Sequence, residues 1–415
     1  MAERDDQGRG AGPLGRRFWF LWAASTSSGI GDGLNSVALP LLAATLTRRP
    51  ILVAAVLFVA RLPWLVVAIP AGAYADRADR PRLMRCMDLI RAALLVGVAT
   101  LVAGNHMTIA LLYAFTLAVG VCDTFFAGST QALLPAIVDK PGLARANGVL
   151  SVGSTTTQQT IGPAIGGVLY SLSRPIPFAV DAVSFVSSAG FLVGLGRSQP
   201  RQGEAATGAG LPALARALWA GMKGGVVWYR GSSALCLVTG TVAVLAFCQA
   251  IVAGILVLFV LERLHLTDIG YGVFMAVVAI GNVTGGLIAA RLLHRVGTAT
   301  VIVAAIVLAA IGYLGAGATS SPYLAAGLLG LEAVAVVVGN VATISFRQRT
   351  TPQELQGRVA NVWRSIVWGV IPFGALIGGA LGADLGLQVP FYAAGGLQLL
   401  LAATVARPLH RLITC

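Results

Sequence analysis

The chain has 415 residues, 57% of them hydrophobic and only 11% charged, with a mean hydropathy of +0.82. Soluble domains carry roughly 25% charged residues, so the composition excludes a water-soluble globular protein and marks a polytopic membrane protein. The net charge of +13 would suit a nucleic-acid binder, but the basic residues sit in loops on one side of successive apolar runs, which excludes that reading as well.

A membrane span needs about 20 mostly apolar residues. Twelve runs qualify, at roughly 18–46, 51–75, 83–103, 108–136, 147–171, 177–196, 235–261, 270–293, 299–317, 322–346, 358–382 and 389–406. Their backbone amides have no water to bind, so the runs are predicted to be helices. With the N-terminus inside, 22 of the 29 Lys+Arg residues fall on the inner side, four (Arg48, Arg49, Arg174, Arg263) fall outside, and Arg61, Arg91 and Arg364 lie within spans. This bias predicts that both termini are cytoplasmic. Arg48 and Arg49 run against it.

Residues 1–17 form a charged, Gly-rich tail, expected to be disordered and, with no small-residue cleavage site nearby, unprocessed. A six-span bundle over 18–196 follows. The polar stretch Gly196–Gly210 opens a cytoplasmic linker, 197–234, before a second bundle over 235–406 and a tail, 407–415. Within the linker, Leu211, Leu214, Leu218, Trp219 and Met222 fall on one stripe, with Arg216, Lys223 and Arg230 along its flank. The pattern fits a helix lying on the membrane surface, or an early start to the seventh span. The five cysteines show no metal spacing and read as small hydrophobes.

The halves repeat. Gly162-Pro-Ala-Ile-Gly166-Gly167-Val-Leu169 matches Gly374-Ala-Leu-Ile-Gly378-Gly379-Ala-Leu381 at an offset of 212, and Gly72…Arg77 matches Gly286…Arg291 at 214. Parallel repeats of six helices place a substrate site between the halves near the midplane.

Ionisable groups inside spans are costly and point to function. Asp32 lies midway along the first span, in Gly-Ile-Gly-Asp32-Gly, and Arg61 is near mid-depth in the second. They are predicted to pair, either as a proton-operated lock or as a static ion pair fixing helix register. Asp123 in the fourth span and Glu332 in the tenth are further candidates for proton coupling. Asp181, near the outer end of the sixth, reads as a solvated or structural acid. The polar run Ser154–Thr160, with Gln158 and Gln159, would bond either a cargo or a neighbouring helix.

The loop Gly72-Ala-Tyr-Ala-Asp76-Arg77-Ala-Asp79-Arg80-Pro-Arg82, wedged between the second and third spans, resembles the signature of the major facilitator superfamily, with Asp79 in place of its second glycine. The resemblance extends over nearly the whole chain. It implies an all-α fold of twelve transmembrane helices in two pseudo-symmetric bundles, and a cytoplasmic gate of Gly72, Asp76, Arg77 and Arg80, in which Asp76 faces the eleventh helix and the arginines pair with acids such as Asp139. Gly162, Pro163, Gly166 and Gly167 resemble the fifth-span motif of facilitator antiporters, though a further glycine of that motif is here Gln158. The same glycines could serve packing alone. Gly31-Asp32, Arg61-Leu-Pro63, the Pro141/Asn147 loop and Asp181-Ala-Val-Ser184-Phe185 resemble bacterial macrolide-efflux and enterobactin-exporter-like permeases.

These features together predict a proton-driven exporter of an amphipathic small molecule such as a drug, siderophore or secondary metabolite. It would be a monomer in the bacterial plasma membrane, with the cargo, protons and lipids as its partners and no cofactor beyond the proton gradient. A nutrient importer and a non-transporting sensor or scaffold are the alternatives. No His-Glu-x-x-His occurs, neither lysine has a P-loop context, and the four histidines lie at span ends or tails, so an enzyme is not expected.

Overall fold

The computed structural model describes residues 14–67, 71, 74, 78–139, 142–196, 229, 231–352 and 356–413. Gly72, Asp76 and Arg77 of the loop motif, the first thirteen residues and the linker stretch 197–228 lie outside the described residues.

The described residues form twelve helices in sequence. They are α1 (Arg16–Leu46), α2 (Pro50–Val66), α3 (Arg80–Ala103), α4 (Ile109–Ile137), α5, α6 (Ile176–Val193), α7 (Ser233–Ala253), α8 (Asp268–Val296), α9 (Thr298–Ala318), α10 (Pro322–Thr350), α11 (Gln356–Asp384) and α12 (Val389–Ile413). Ten helices are long and apolar enough to cross a membrane, and the described part of α2 is a shorter apolar helix. α5 runs through three stretches, Leu143–Thr156, a π-helical turn Thr157–Ile161 and Gly162–Leu172. Pro163 has no N–H to give to the carbonyl four residues back. Just before it, the Gly162 N–H bonds the Thr157 carbonyl five residues back, which admits the extra residue. The seventh span, expected as one helix over 235–261, breaks at Gly254 and continues as the short pieces Leu256–Leu258 and Phe259–Arg263.

Helix packing follows the repeat. In the first half α1 packs on α5 and α6, α3 on α4 and α6, and α2 on α4. In the second half α7 packs on α11 and α12, α9 on α10 and α12, and α8 on α10. Each pair has its counterpart six helices on. The halves meet along α2 with α11 and α5 with α8, which exchange under the same operation.

The repeated glycines make these contacts. Gly162 and Gly166 lie against the backbone of Gly33 and Leu34 on α1, while Gly374 and Gly378 lie against the backbone of Phe247 and Ile251 on α7. One residue further, Gly167 meets Gly272 of α8, and Gly379 meets Ile51 and Ala54 of α2. A side chain at any of these positions would force two helix backbones apart. α11 carries the same glycines without the proline, and in both helices they lie on close backbone contacts.

The apolar core is divided unevenly along the membrane normal. At the end opposite the termini one cluster runs through both halves, from Val37, Leu41 and Val53 to Ile251, Tyr271 and Phe391. At the end bearing the termini the halves keep separate cores. Phe18, Leu21, Met84 and Leu133 belong to one, and Val301, Ile302, Val338 and Leu409 to the other. Among the described residues the apolar core is therefore continuous at one end, the sealed end, and divided at the other.

An ion pair reinforces the sealed end. Arg48, between α1 and α2, donates to Glu262, beyond α7, at 3.2 Å. Its place against the charge bias of the loops has this structural reason: it links the halves. Exposed pairs contribute roughly 0–1 kcal/mol, so Arg48→Glu should shift the balance of open states modestly and Arg48→Glu with Glu262→Arg should restore it. Accessibility of a single cysteine introduced at Leu387 to a membrane-impermeant maleimide measures this. Equal labelling in all three proteins would remove the pair from gating.

Candidate functional site

The candidate site is a cluster of ionisable side chains at mid-depth in the first half. Arg91, midway along α3, is 2% exposed and bonds Asp88 on its own helix, which is fully buried, and Asp123 of α4 at 2.5 Å. Phe126 and Phe185 flank the guanidinium, with ring centroids 4.7 and 4.1 Å away. Ser188 of α6 donates to the other Asp88 oxygen at 2.7 Å. Arg91 is thus held from four sides.

Asp32 stands at the edge of this group, within electrostatic reach of Asp123, Arg91 and Asp88. Local sequence places it. Gly29 and Gly33 let α1 lie against the π-helical turn of α5, and Gly31 leaves room for Asp181 of α6. The turn brings Gln158 to Asp32, and its Nε2 donates to Asp32 Oδ2 at 3.1 Å. The side chain of Gln159 lies outside the described residues. Asp32 keeps some accessible surface and Gln158 is exposed, on a turn that also touches α8 of the second half. Asp123 is also partly accessible, its side chain being 31% exposed.

The expected Asp32–Arg61 pair is not made. Asp32 bonds a neutral amide, and Arg61 lies instead within reach of the Asp123 charge. Its buried Nε has no hydrogen-bond partner among the described residues. The reason is azimuthal: Asp32 turns toward α5, while α2 packs on α4, which carries Asp123. Asp181 is fully buried, bonded by Asn35 and by Ser184 Oγ at 3.0 Å. Of its two expected forms, solvated or structural, it takes the second. Glu332 stands apart, buried in the second half where Tyr313 of α9 donates to it at 2.7 Å. Arg80 is buried at the start of α3, whose preceding residue Asp79 pairs with Arg82 at 3.5 Å. Asp88 and the role of Arg91 were not anticipated. The readable signal was an acid and a base three residues apart in an apolar span, which share a helix face.

The sequence model of the transmembrane secretion effectors matches residues 11–413. The chain belongs to this family of the major facilitator superfamily. It is a multi-pass membrane transporter and not an enzyme. The multidrug efflux pump Tap of Mycolicibacterium fortuitum is 30% identical over 430 residues, covering 97% of this chain and 96% of that protein. Among solved structures, a bacterial homologue of the human lysosomal transporter Spinster, captured inward-facing, is similar with a TM-score of 0.73 at 15% identity, covering 97% of this chain and 99% of that one. A bacterial homologue of the iron transporter ferroportin, also inward-facing, gives 0.70 at 14%, covering 97% and 100%. At such identities the structural likeness is one of fold alone. In this secretion-effector fold the charged cluster occupies one half, beside the boundary between the two.

Proposed function

We propose that this protein exports an amphipathic small molecule in exchange for protons, by alternating access, from the cytoplasmic face of a bacterial plasma membrane. Both termini lie in the cytoplasm in this reading, so the divided end faces inward. Export rests on the efflux pump that shares the family, since the fold serves either direction.

The observation that carries proton exchange is the unequal treatment of the carboxylates. Asp88 and Asp123 share Arg91, whereas among the described residues Asp32 bonds only the neutral Gln158 amide, at 3.1 Å. Protonating Asp88 or Asp123 would break a buried ion pair. Protonating Asp32 breaks none and leaves its Oδ2 free to accept from Gln158. A proton on Asp32 also removes one negative charge from beside Arg91, which changes the field at the boundary between the halves. Cargo and proton would then compete for this edge of the cluster, and rocking of the halves about α2–α11 and α5–α8 would carry each across.

Everted vesicles acidified inside test the proposal. The substrates to try are amphipathic dyes and antibiotics, and the expected result is uptake that collapses with the pH gradient and is accompanied by alkalinisation of the vesicle interior. Uptake indifferent to the gradient would overturn proton exchange.

A further inference from the structure

Glu332 takes no part in the cluster around Arg91. The repeat does not require it either, since Ala118 and Gly120, its counterparts at the offsets of 214 and 212, are apolar. It is 6% exposed and accepts from the Tyr313 hydroxyl at 2.7 Å. Cys248 of α7, fully buried, is the other titratable group within electrostatic reach of this pair, and no charged side chain among the described residues acts on Glu332. Tyr313 and Cys248 belong to the apolar cluster of the sealed end, where every connection between helices lies within the described residues.

A line of aromatic contacts joins this pair to the ion pair that links the halves. The Tyr313 ring meets Phe391 of α12 edge-on, at 6.4 Å between centroids, and Phe391 meets Phe259 at 4.2 Å. All three rings are buried. Phe259 opens the π-helical stretch Phe259–Arg263, which follows the break in the seventh span at Gly254. Such turns are frequent at functional sites. Glu262, in the same turn, accepts from Arg48 of the first half at 3.2 Å. The next residue, Arg263, donates to the side-chain oxygen of Gln388, whose backbone carbonyl accepts from the Phe391 N–H at 3.1 Å. Phe391 is thus tied to the turn both through its ring and through its backbone. Arg48 and Glu262 are 214 residues apart, the repeat offset itself, so they are counterpart positions that meet across the pseudo-two-fold axis.

We infer that Glu332 is a proton-operated positioning residue for the sealed end, acting through Tyr313, Phe391 and Phe259 on the Arg48–Glu262 pair. A neutral carboxyl bonded by a tyrosine suits an apolar core, whereas a carboxylate there is costly until water reaches it. Hydrating it displaces Tyr313. Close-packed rings transmit such a displacement to Phe391 and Phe259, and the π-helical turn carries Glu262 away from Arg48. A proton on Glu332 therefore favours closure of this end, and its loss favours opening. The proton on Glu332 sets which end is open and is not itself carried across. The inference does not depend on the direction of transport or on Asp32.

The test uses the full-length protein in nanodiscs, without cargo, and measures the distance between spin labels by electron–electron resonance across a pH series. The labels replace His106 and Tyr323, exposed positions at the sealed end in opposite halves. Cys86, Cys236 and Cys415 are changed to serine, leaving the buried Cys122 and Cys248. The protein with Glu332 intact should show short distances in acid and a growing share of long ones as the pH rises. Direct protonation of Glu262 has the opposite sign, since it opens the pair in acid. Glu332→Gln keeps an acceptor for Tyr313, cannot ionise, and should stay short throughout. Asp32→Asn should keep the response, which separates this switch from the proposed coupling group. If Glu332→Gln is not recovered folded, Tyr313→Phe keeps the ring, deletes the hydrogen bond and should displace the midpoint. Distances that lengthen in acid or ignore pH, a Glu332→Gln series that follows the parent protein, or an unmoved midpoint in Tyr313→Phe would each overturn the switch.

Discussion

Replacing Arg91 by glutamine should destroy most of the folded protein. The wild-type guanidinium is paired with two carboxylates, one of them fully buried, and fills the space between Phe126 and Phe185. Removing one partner of a buried ion pair costs about 3–5 kcal/mol, because the other is left uncompensated. Here two acids would be stranded, so the loss should lie toward the upper end. Thermal unfolding in detergent, followed by the monodisperse fraction on size exclusion, measures it. Adding Asp88→Asn to Arg91→Gln removes the more deeply buried of the stranded charges and should recover much of the stability. Ser188→Ala, which deletes a single hydrogen bond to Asp88, should cost about 1–3 kcal/mol. If Arg91→Gln melted with the wild type, the cluster would not be the electrostatic centre of the first half.

The second large effect concerns Asp32→Asn. Asparagine keeps the carbonyl oxygen that accepts from Gln158 and mimics the protonated acid, so insertion and folding should be nearly unchanged. Proton-driven accumulation in everted vesicles should fall to the level of vesicles without the carrier. Exchange of labelled for unlabelled cargo at equal pH needs no proton to be released, and should persist. The two readouts separate loss of coupling from loss of binding or folding. Full accumulation by the variant would transfer the coupling role to another group, and Asp123, which is also partly exposed, would be next in line.

The same pair of aspartates shows how much could be read in advance. Asp32 and Asp123 stand out in the sequence as acids in long apolar runs, and both border the cluster. Arg61 stands out equally and was given the wrong partner. Spacing along a chain says nothing of which side of α1 faces α2 and which faces α5. The Asn35–Asp181 contact, between residues 146 apart, has no local signature at all. Glu332 is conspicuous by the same criterion as Asp32, yet Tyr313 holds it inside the second half. The repeat is the opposite case. The glycines of α5 and α11 were legible because close approach of two helix backbones tolerates so few residue types that the requirement appears directly in the letters, and Gly162, Gly166, Gly167, Gly374, Gly378 and Gly379 all lie on helix contacts, whereas Gly286 of the loop repeat has open space beside it.

Hydropathy and the repeated glycine motifs alone determine that this chain crosses a membrane as two related sets of helices, because the cost of exposing peptide groups to hydrocarbon depends on residue type and because close helix packing admits so few residues. Tertiary structure alone decides which acids meet which arginines. That depends on the rotation of each helix about its own axis, and rotation is set by contacts with neighbours distant in sequence: the π-helical turn of α5 pressed against the glycines of α1, and the two phenylalanines that hold Arg91 between them.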